Sequence, residues 1–211
     1  CAFPMPRQHA AARTLLMDQH AASALPVDPP FLAGGGEMGA RMRAFDWASH
    51  PLGSPLFWGA PLRTTLRLLL STNHPVFLFW GRELHCFYND AYRRSLGPEK
   101  HPVMLGGRAR EHWQEIWTVI GPQIELVLRG DGSTWHENHL VPIDRYGRRD
   151  DVYWTYSYSP VDDEMAPGGV GGVMVLCTET TAQVRESERR LAAEMRWRTF
   201  FDQTLSFMCV L

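Results

Sequence analysis

Residues 152–161 read VYWTYSYSPV, and this stretch decides the class of fold. Trp154, Tyr156 and Tyr158 occupy alternate positions, with Thr155 and Ser157 between them. Successive side chains of a β-strand point to opposite faces of a sheet. The pattern therefore predicts a strand with one strongly aromatic face.

The segments on either side of this strand predict an antiparallel sheet. Residues 133–143 precede it and are joined to it by residues 144–147, a polar turn that ends in glycine. Residues 171–178 follow it as another apolar run. Further upstream, residues 76–80 and 84–88 repeat with period two around a turn at 81–83. Five strands are predicted.

Helical patterns lie between and outside these strands. Residues 61–70 place leucines on one face, and Asn89 or Asp90 can cap a short helix through residue 96. Residues 110–117 and 122–128 are predicted as two helices, because Gly121 and Pro122 stand between them. Residues 183–198 contain neither glycine nor proline, which favours a helix, but they are mostly charged and have only Val184, Leu191 and Met195 as larger aliphatic side chains. Such a helix cannot form a core alone, so it requires a partner helix.

Composition restricts the classes of function. The 211 residues include 21 Lys and Arg against 23 Asp and Glu, a net charge of −2 without a basic run, so a nucleic-acid partner is not expected. The longest apolar runs are five residues, far short of the roughly 20 that span a bilayer. Four scattered cysteines favour a reducing compartment. We predict a cytoplasmic chain with no membrane span.

Six short motifs follow one another along the chain. They are Phe45-Asp46-Trp47 with Pro51-Leu52-Gly53, Leu62-Arg63, Tyr88-Asn89-Asp90-Ala91-Tyr92, Glu115-Ile116-Trp117, residues 156–161 (YSYSPV) and residues 177–181 (CTETT). With these motifs and this order of predicted strands and helices, the chain resembles the PAS sensor domain, in the version found near the N-terminus of bacterial multi-sensor (hybrid) histidine kinases. The match covers about residues 37–198.

The resemblance implies an α+β PAS fold. It consists of a five-stranded antiparallel sheet with helices on one face, an N-terminal helical extension and a C-terminal signalling helix. The expected divisions are a disordered tail at 1–36, the helical extension at 37–74, the PAS domain at 75–182 and the signalling helix at 183–198. Residues 199–211 resemble the truncated start of a second PAS domain.

The resemblance also implies a function in signal transduction. A sensory PAS domain would regulate a downstream output through its C-terminal helix, and the predicted output is a histidine kinase of a two-component system. Glu179 and Thr181 stand where the family has its Asp-x-Thr signal-transfer motif. We expect a homodimer formed through the N-terminal extension and the signalling helix, also called the exit helix here. The exit helices of the two subunits would form a coiled coil. The alternatives are a dimerisation or protein-interaction module without ligand, and the input domain of a cyclic-dinucleotide synthase.

Seven residues are candidates to line a small-molecule pocket between helices and sheet. Such sites are mostly apolar with a few polar groups. A tightly packed core is the competing interpretation of the same residues. The candidates are Phe77, His112, Trp113, Trp117, Leu128, Trp135 and Tyr156.

No catalytic or metal-binding motif is recognised. His136 and His139 are spaced differently from the zinc-protease motif, and on a regular strand they would point to opposite faces, so no metal site is predicted. Residues 122–128, most similar to the haem-bearing helix of some relatives, contain no histidine. No cysteine lies just before residues 108–117, where light-sensing flavin-binding relatives need one, since Cys86 and Cys177 both fall on predicted strands. The cofactor is left open, haem and flavin are disfavoured, and no enzyme activity is predicted within the chain.

Overall fold

Five antiparallel strands form the main sheet of the protein. The computed structural model describes residues 29–208, with side chains through residue 201. The strands of this sheet are β1 (Val76–Trp80), β2 (His85–Tyr88), β3 (Thr134–Leu140), β6 (Tyr153–Asp162) and β7 (Val170–Glu179), and the intervening β4 (Ile143–Arg145) and β5 (Arg148–Asp150) form a separate hairpin. The order across the main sheet is β2-β1-β7-β6-β3.

The strand register assigns the aromatic residues to one face of the sheet. Phe77 pairs with Tyr88 on one side and with Val175 on the other, and Val175 pairs with Tyr158. Because paired residues share a face, these side chains define what we call the inner face. Leu78 and its partners Phe87 and Met174 lie on the opposite, outer face.

Three short or medium helices follow β2 and pack on the inner face. They are α3 (Asp90–Arg93), α4 (Ala109–His112) and α5 (Trp117–Leu128), and α5 contacts both β6 and β7. The predicted break at Gly121 and Pro122 was wrong, since α5 runs through both residues. Its buried stripe of Ile120, Ile124 and Val127 faces the protein interior, and Pro122 lies on the exposed side. Burial of the stripe outweighs the hydrogen bond that proline removes.

The N-terminal extension covers part of the outer face. Its helices are α1 (Gly36–Ala44) and α2 (Ala60–Ser71). Trp47 stacks on Phe87 with ring centroids 5.4 Å apart, and Trp58 meets the same ring edge-on at 5.9 Å. The far end of this face, at Trp135 and Leu176, is left 64% and 37% exposed.

Two polar side chains attach the extension to the sheet. Buried Asn89 donates to the carbonyl oxygens of Leu69, Thr72 and His74 at the end of α2, and accepts from the backbone N–H groups of Val76 and Tyr92. Asp90 accepts from the backbone N–H groups of Glu37 and Met38 at 3.0 and 2.8 Å. A carboxylate at a helix N-terminus satisfies unpaired N–H groups and favours the helix dipole.

The C-terminal helix α6 (Thr181–Met208) is longer than the 183–198 helix predicted. It continues without a break into the segment that resembles the start of a second PAS domain, of which residues 209–211 lie outside the described part. Of the predicted N-terminal tail, residues 1–28 lie outside the described part, and Leu32 is fully buried. The predicted α+β class with a five-stranded antiparallel sheet is confirmed.

Candidate functional site

A small cavity lies between the inner face of the sheet and the helices that cover it. Its volume is about 60 Å³. A cavity needs roughly 10–15 Å³ to hold one water molecule, so a cavity of this volume accommodates about four to six water-sized groups. Its apolar wall is formed by Leu96, Ile116, Ile120, Val141, Ile143 and Val175.

Four side chains with a hydroxyl or thiol group line the cavity and form no hydrogen bond with the described residues: Tyr92, Ser95, Tyr158 and Cys177. In the same wall, the buried indole N–H of Trp113 also has no hydrogen-bond partner among the described residues. Burial raises the pKa of Tyr92 and Tyr158 well above the ordinary value and raises the pKa of the Cys177 thiol to about 12. All four groups are therefore neutral at physiological pH and keep a free capacity to donate or accept.

A further polar residue of the wall, Tyr156, belongs to a chain of hydrogen bonds. Thr134 donates to the Gln123 side-chain oxygen at 3.0 Å, and the Gln123 amide donates to the Tyr156 hydroxyl at 3.0 Å. Tyr156 lies 2.8 Å from Nδ1 of His139. Burial lowers the pKa of His139, so a neutral ring accepts from Tyr156 at this nitrogen. This series of hydrogen bonds connects α5 to β3 and β6 beside the cavity.

An ion-pair cluster connects the cavity wall to the start of the C-terminal helix α6. Arg145, at the end of β4, donates to both carboxylate oxygens of Glu179 at 2.9 and 3.1 Å. It also donates to Asp150 at 3.0 Å and to the backbone oxygen of Ser95 at 3.4 Å. The hydrogen bonds to Glu179, followed by those to Asp150, raise the pKa of Arg145, and Arg145 in turn lowers the pKa of Asp150.

Glu179 and Thr181 meet where β7 ends and α6 begins. The Thr181 hydroxyl donates to Glu179 at 3.3 Å and accepts from the backbone N–H of Tyr153 at 3.0 Å. Thr180 adds a backbone bond to the Tyr153 oxygen at 2.8 Å. These contacts fix the first turn of α6 to the start of β6 and to Arg145.

The seven predicted pocket residues are dispersed. Trp113 and Tyr156 line the cavity. Phe77 is buried beside it against Trp113, with ring centroids 6.3 Å apart, while His112 and Trp117 are half-buried on the helical side. Leu128 lies at a different surface depression, near Trp80 and Met165. Trp135 is exposed on the outer face, where it pairs with Ser157.

His136 and His139 lie on the same face, contrary to the sequence-based expectation. Both rings are stacked with centroids 5.0 Å apart and contact Tyr156. The strand register shifts between them, and Asn138 adopts a positive φ of 49°. A β-bulge adds one residue to a strand and so reverses the side of every residue beyond it. Within residues 29–201, no group of three or more His, Cys, Asp or Glu side chains could hold a metal ion.

Sequence reasoning missed Ser95, Arg145, Tyr158 and Cys177. Tyr158 and Cys177 were assigned to strands, and their alternation with Tyr156 and Val175 already put them on the aromatic face. Arg145 was placed in a turn, and nothing local distinguishes it from Arg148 or Arg149. Its role depends on Glu179, which is 34 residues away in the chain.

The chain is similar to known proteins at low sequence identity. No protein-family model matches the chain, and no curated protein matches it. Solved structures that resemble it include a sensory box sensor histidine kinase from Vibrio cholerae, at 14% identity and a TM-score of 0.35, covering 60% of this chain and 98% of that one. The PAS domain of a Colwellia psychrerythraea protein has 10% identity and a TM-score of 0.43, covering 57% and 98%.

The PAS domain of BvgS from Bordetella pertussis is a third such structure, at 16% identity and a TM-score of 0.36, covering 63% of this chain and 97% of that one. The descriptions of these three structures name PAS domains and a sensor histidine kinase, and all three TM-scores are below 0.5. Within residues 29–208, no helix combines the length and apolar character that a membrane span requires.

Proposed function

We propose that this chain is a sensory input module of the PAS type that regulates a downstream output through α6. The cue is a small molecule in the cavity, and the output is a histidine kinase of a two-component system, in line with the sequence resemblance. The observation that carries the proposal is a continuous set of hydrogen bonds from the cavity wall to α6. It runs from Ser95 through Arg145 and Glu179 to Thr181.

The physical basis of the coupling is the position of Ser95. A molecule that binds in the cavity displaces this wall residue, whose backbone oxygen is bound by Arg145. Arg145 divides its hydrogen bonds among Ser95, Asp150 and Glu179, so a shift of one acceptor changes the geometry at the others. The first turn of α6 then has two arrangements, and the ligand selects between them by its differential affinity.

The proposal can be tested without knowing the cue, by filling the cavity. Cys177→Met adds atoms to the space with a flexible side chain. We expect it to change amide hydrogen exchange in residues 183–190 of α6 by about threefold or more, and Glu179→Gln should abolish that change in the double variant.

Leu62→Met is the matched control, since it places a methionine in the buried layer of the extension, away from the cavity. It should leave α6 exchange unaltered. If Cys177→Met changed amide exchange in α6 equally with and without Glu179→Gln, the proposed route through Glu179 would be contradicted. In the full-length protein, Glu179→Gln should also remove the response of kinase output, and a normal response would contradict the proposal.

A second candidate function is a dimerisation module. Five large apolar side chains of α6 are 58–62% exposed: Leu191, Met195, Trp197, Phe200 and Phe201. A homodimer formed through the extension and the exit helix would cover them. Sedimentation velocity of the chain and of Leu191→Asp measures this, and a monomer at about 100 μM would contradict it.

A further inference from the structure

We infer that the cavity binds a small, neutral, oxygen-bearing molecule of about four to six non-hydrogen atoms, such as a hydroxyketone, a diol or a lactam. This inference rests on the proposed function, because it names the ligand of the same cavity. It depends on three properties of the wall: its charge, its unused hydrogen-bonding groups and its size.

The first property is the absence of charge. Among the described residues that line the cavity, none is ionic, and burial keeps the Tyr92, Tyr158 and Cys177 side chains in their neutral forms. The nearby cations already have partners, since Lys100 pairs with Glu115 and Arg145 with Glu179. A charged ligand would lose its hydration without gaining a counterion, which is strongly unfavourable.

The second property is the set of unused polar groups. Tyr158 is 5% exposed, it lines the cavity, and its hydroxyl has no partner among the described residues, so an occupant of the cavity can provide one. Tyr92 and Ser95 add two further hydroxyls, and Cys177 adds a thiol. Buried polar groups are normally hydrogen-bonded, and leaving them unpaired is costly. A hydrocarbon ligand would leave these polar groups without a hydrogen bond, whereas a carbonyl or hydroxyl oxygen of the ligand can bond to them.

The third property is size. A volume of about 60 Å³ accommodates roughly four to six water-sized groups. The apolar residues Ile116, Ile120, Val141 and Ile143 enclose the remaining surface and favour the carbon part of the ligand. Oxygen on a short carbon skeleton therefore matches both parts of the wall.

Methyl NMR of the 211-residue chain tests the inference with probes of equal size. The neutral probes are 3-hydroxybutan-2-one, butane-2,3-diol and pyrrolidin-2-one, and lactate is an anion with the same number of non-hydrogen atoms. At least one neutral probe should shift the Ile116, Ile120 and Ile143 methyl signals saturably. Ile124 is buried in α5 outside the cavity and serves as the internal control. Lactate should produce no shift at the same concentration.

Two variants separate binding at the unused hydroxyl from the general effect of losing a buried tyrosine hydroxyl. Tyr158→Phe should weaken binding about fivefold to tenfold, the effect of one hydrogen bond. Tyr88→Phe removes a hydroxyl that lies outside the cavity wall and is bonded to His101, and should change the affinity by less than about twofold. Equal affinity for lactate, or an unchanged affinity of Tyr158→Phe, would overturn the inference.

The test distinguishes the ligand class from the proposed function. If none of the neutral probes binds up to about 100 mM, a concentration above any useful affinity, the inferred class is wrong. The proposed function then still stands if Cys177→Met alters α6 exchange through Glu179. If a neutral probe binds as expected but Cys177→Met leaves α6 unaffected, the binding site stands and the coupling fails.

Discussion

Tyr156 and Tyr158 meet edge-on in the wall of the cavity, with ring centroids 5.3 Å apart, yet only the Tyr156 hydroxyl has a partner among the described residues. The two residues stand two positions apart on β6 and share a face of the sheet. One phenol therefore contributes to the fold, while its neighbour retains hydrogen-bonding capacity that the fold does not use.

This contrast predicts opposite effects of the same substitution on stability. Tyr156→Phe leaves Gln123 and His139 without their partner and should lower the free energy of unfolding by about 1–3 kcal/mol. Tyr158→Phe removes an unpaired hydroxyl and should leave it unchanged or raised by up to about 1 kcal/mol. Urea unfolding of both variants measures the difference. A larger loss for Tyr158→Phe would show that its hydroxyl has a structural partner.

Arg145→Lys should weaken the junction between the hairpin and α6. Lysine cannot make the two parallel bonds that the guanidinium makes to Glu179. We expect a loss of about 1–2 kcal/mol in urea unfolding and faster amide exchange in the first turn of α6. Arg149→Lys, an exposed position on the same hairpin, is the control and should be neutral within about 0.5 kcal/mol. Equal effects at both positions would assign no special role to Arg145.

Gly36→Ala should detach α1 from α3. Gly36 has φ +58°, and an added Cβ would lie 2.0 Å from the Asp90 oxygen that accepts from the backbone of Glu37. Gly53 has φ +65° with open space around its Cβ position, so Gly53→Ala measures the backbone strain alone, about 1–2 kcal/mol. Thermal unfolding should show the larger loss for Gly36→Ala. Equal losses would mean that Asp90 moves aside without cost.

Stability should fall as the pH drops from about 7 to about 5. The pKa of His85 is lowered mainly by burial of its ring. The Nδ1–H of this ring donates to the Gly106 backbone oxygen at 2.8 Å. Burial also lowers the pKa of His112 and His139. The unfolded chain then binds protons at a higher pH than the folded chain does, so acid favours unfolding in the window below the ordinary histidine pKa of about 6.5.

Urea unfolding at several pH values measures this dependence, and His85→Asn should reduce its slope. Four groups act on the His85 ring: the Gly106 oxygen, His50, Arg108 and Glu83. Exposed His74 provides the control variant His74→Asn, which should keep the slope of the original chain. The lowered pKa of Asp150 acts in a separate range, since its contribution is lost only as the pH falls below about 4. A slope unaltered by His85→Asn would contradict the role of this residue.

Much of the fold could be predicted from local pattern. The alternation in residues 153–158 predicts a strand because side chains alternate between the two faces of a sheet. The apolar run in residues 76–80 is a strand that is buried on both faces. Asn89 was predicted to cap the helix that follows, and its side chain accepts from the Tyr92 backbone as expected. Such features depend on residues within one or two turns of the chain.

The path of α5 and the faces of β3 could not be predicted in this way. Gly121 and Pro122 favour a break, yet burial of Ile120, Ile124 and Val127 keeps the helix continuous. The bulge between His136 and His139 is visible only in the pairing with β6, where it places both rings beside Tyr156. In each case a contact made in the folded protein overrides the local preference.

The amino-acid sequence by itself determined the five strands of the main sheet, the aromatic face of that sheet and the helix that follows it, because each depends on the spacing of side chains along a short segment. Only the tertiary structure decided that Arg145 binds Glu179 and that Tyr158 has an unused hydroxyl in a cavity of about 60 Å³. A cavity and an ion pair form where distant segments pack together. Their geometry depends on how all those segments fill space, which no local pattern encodes.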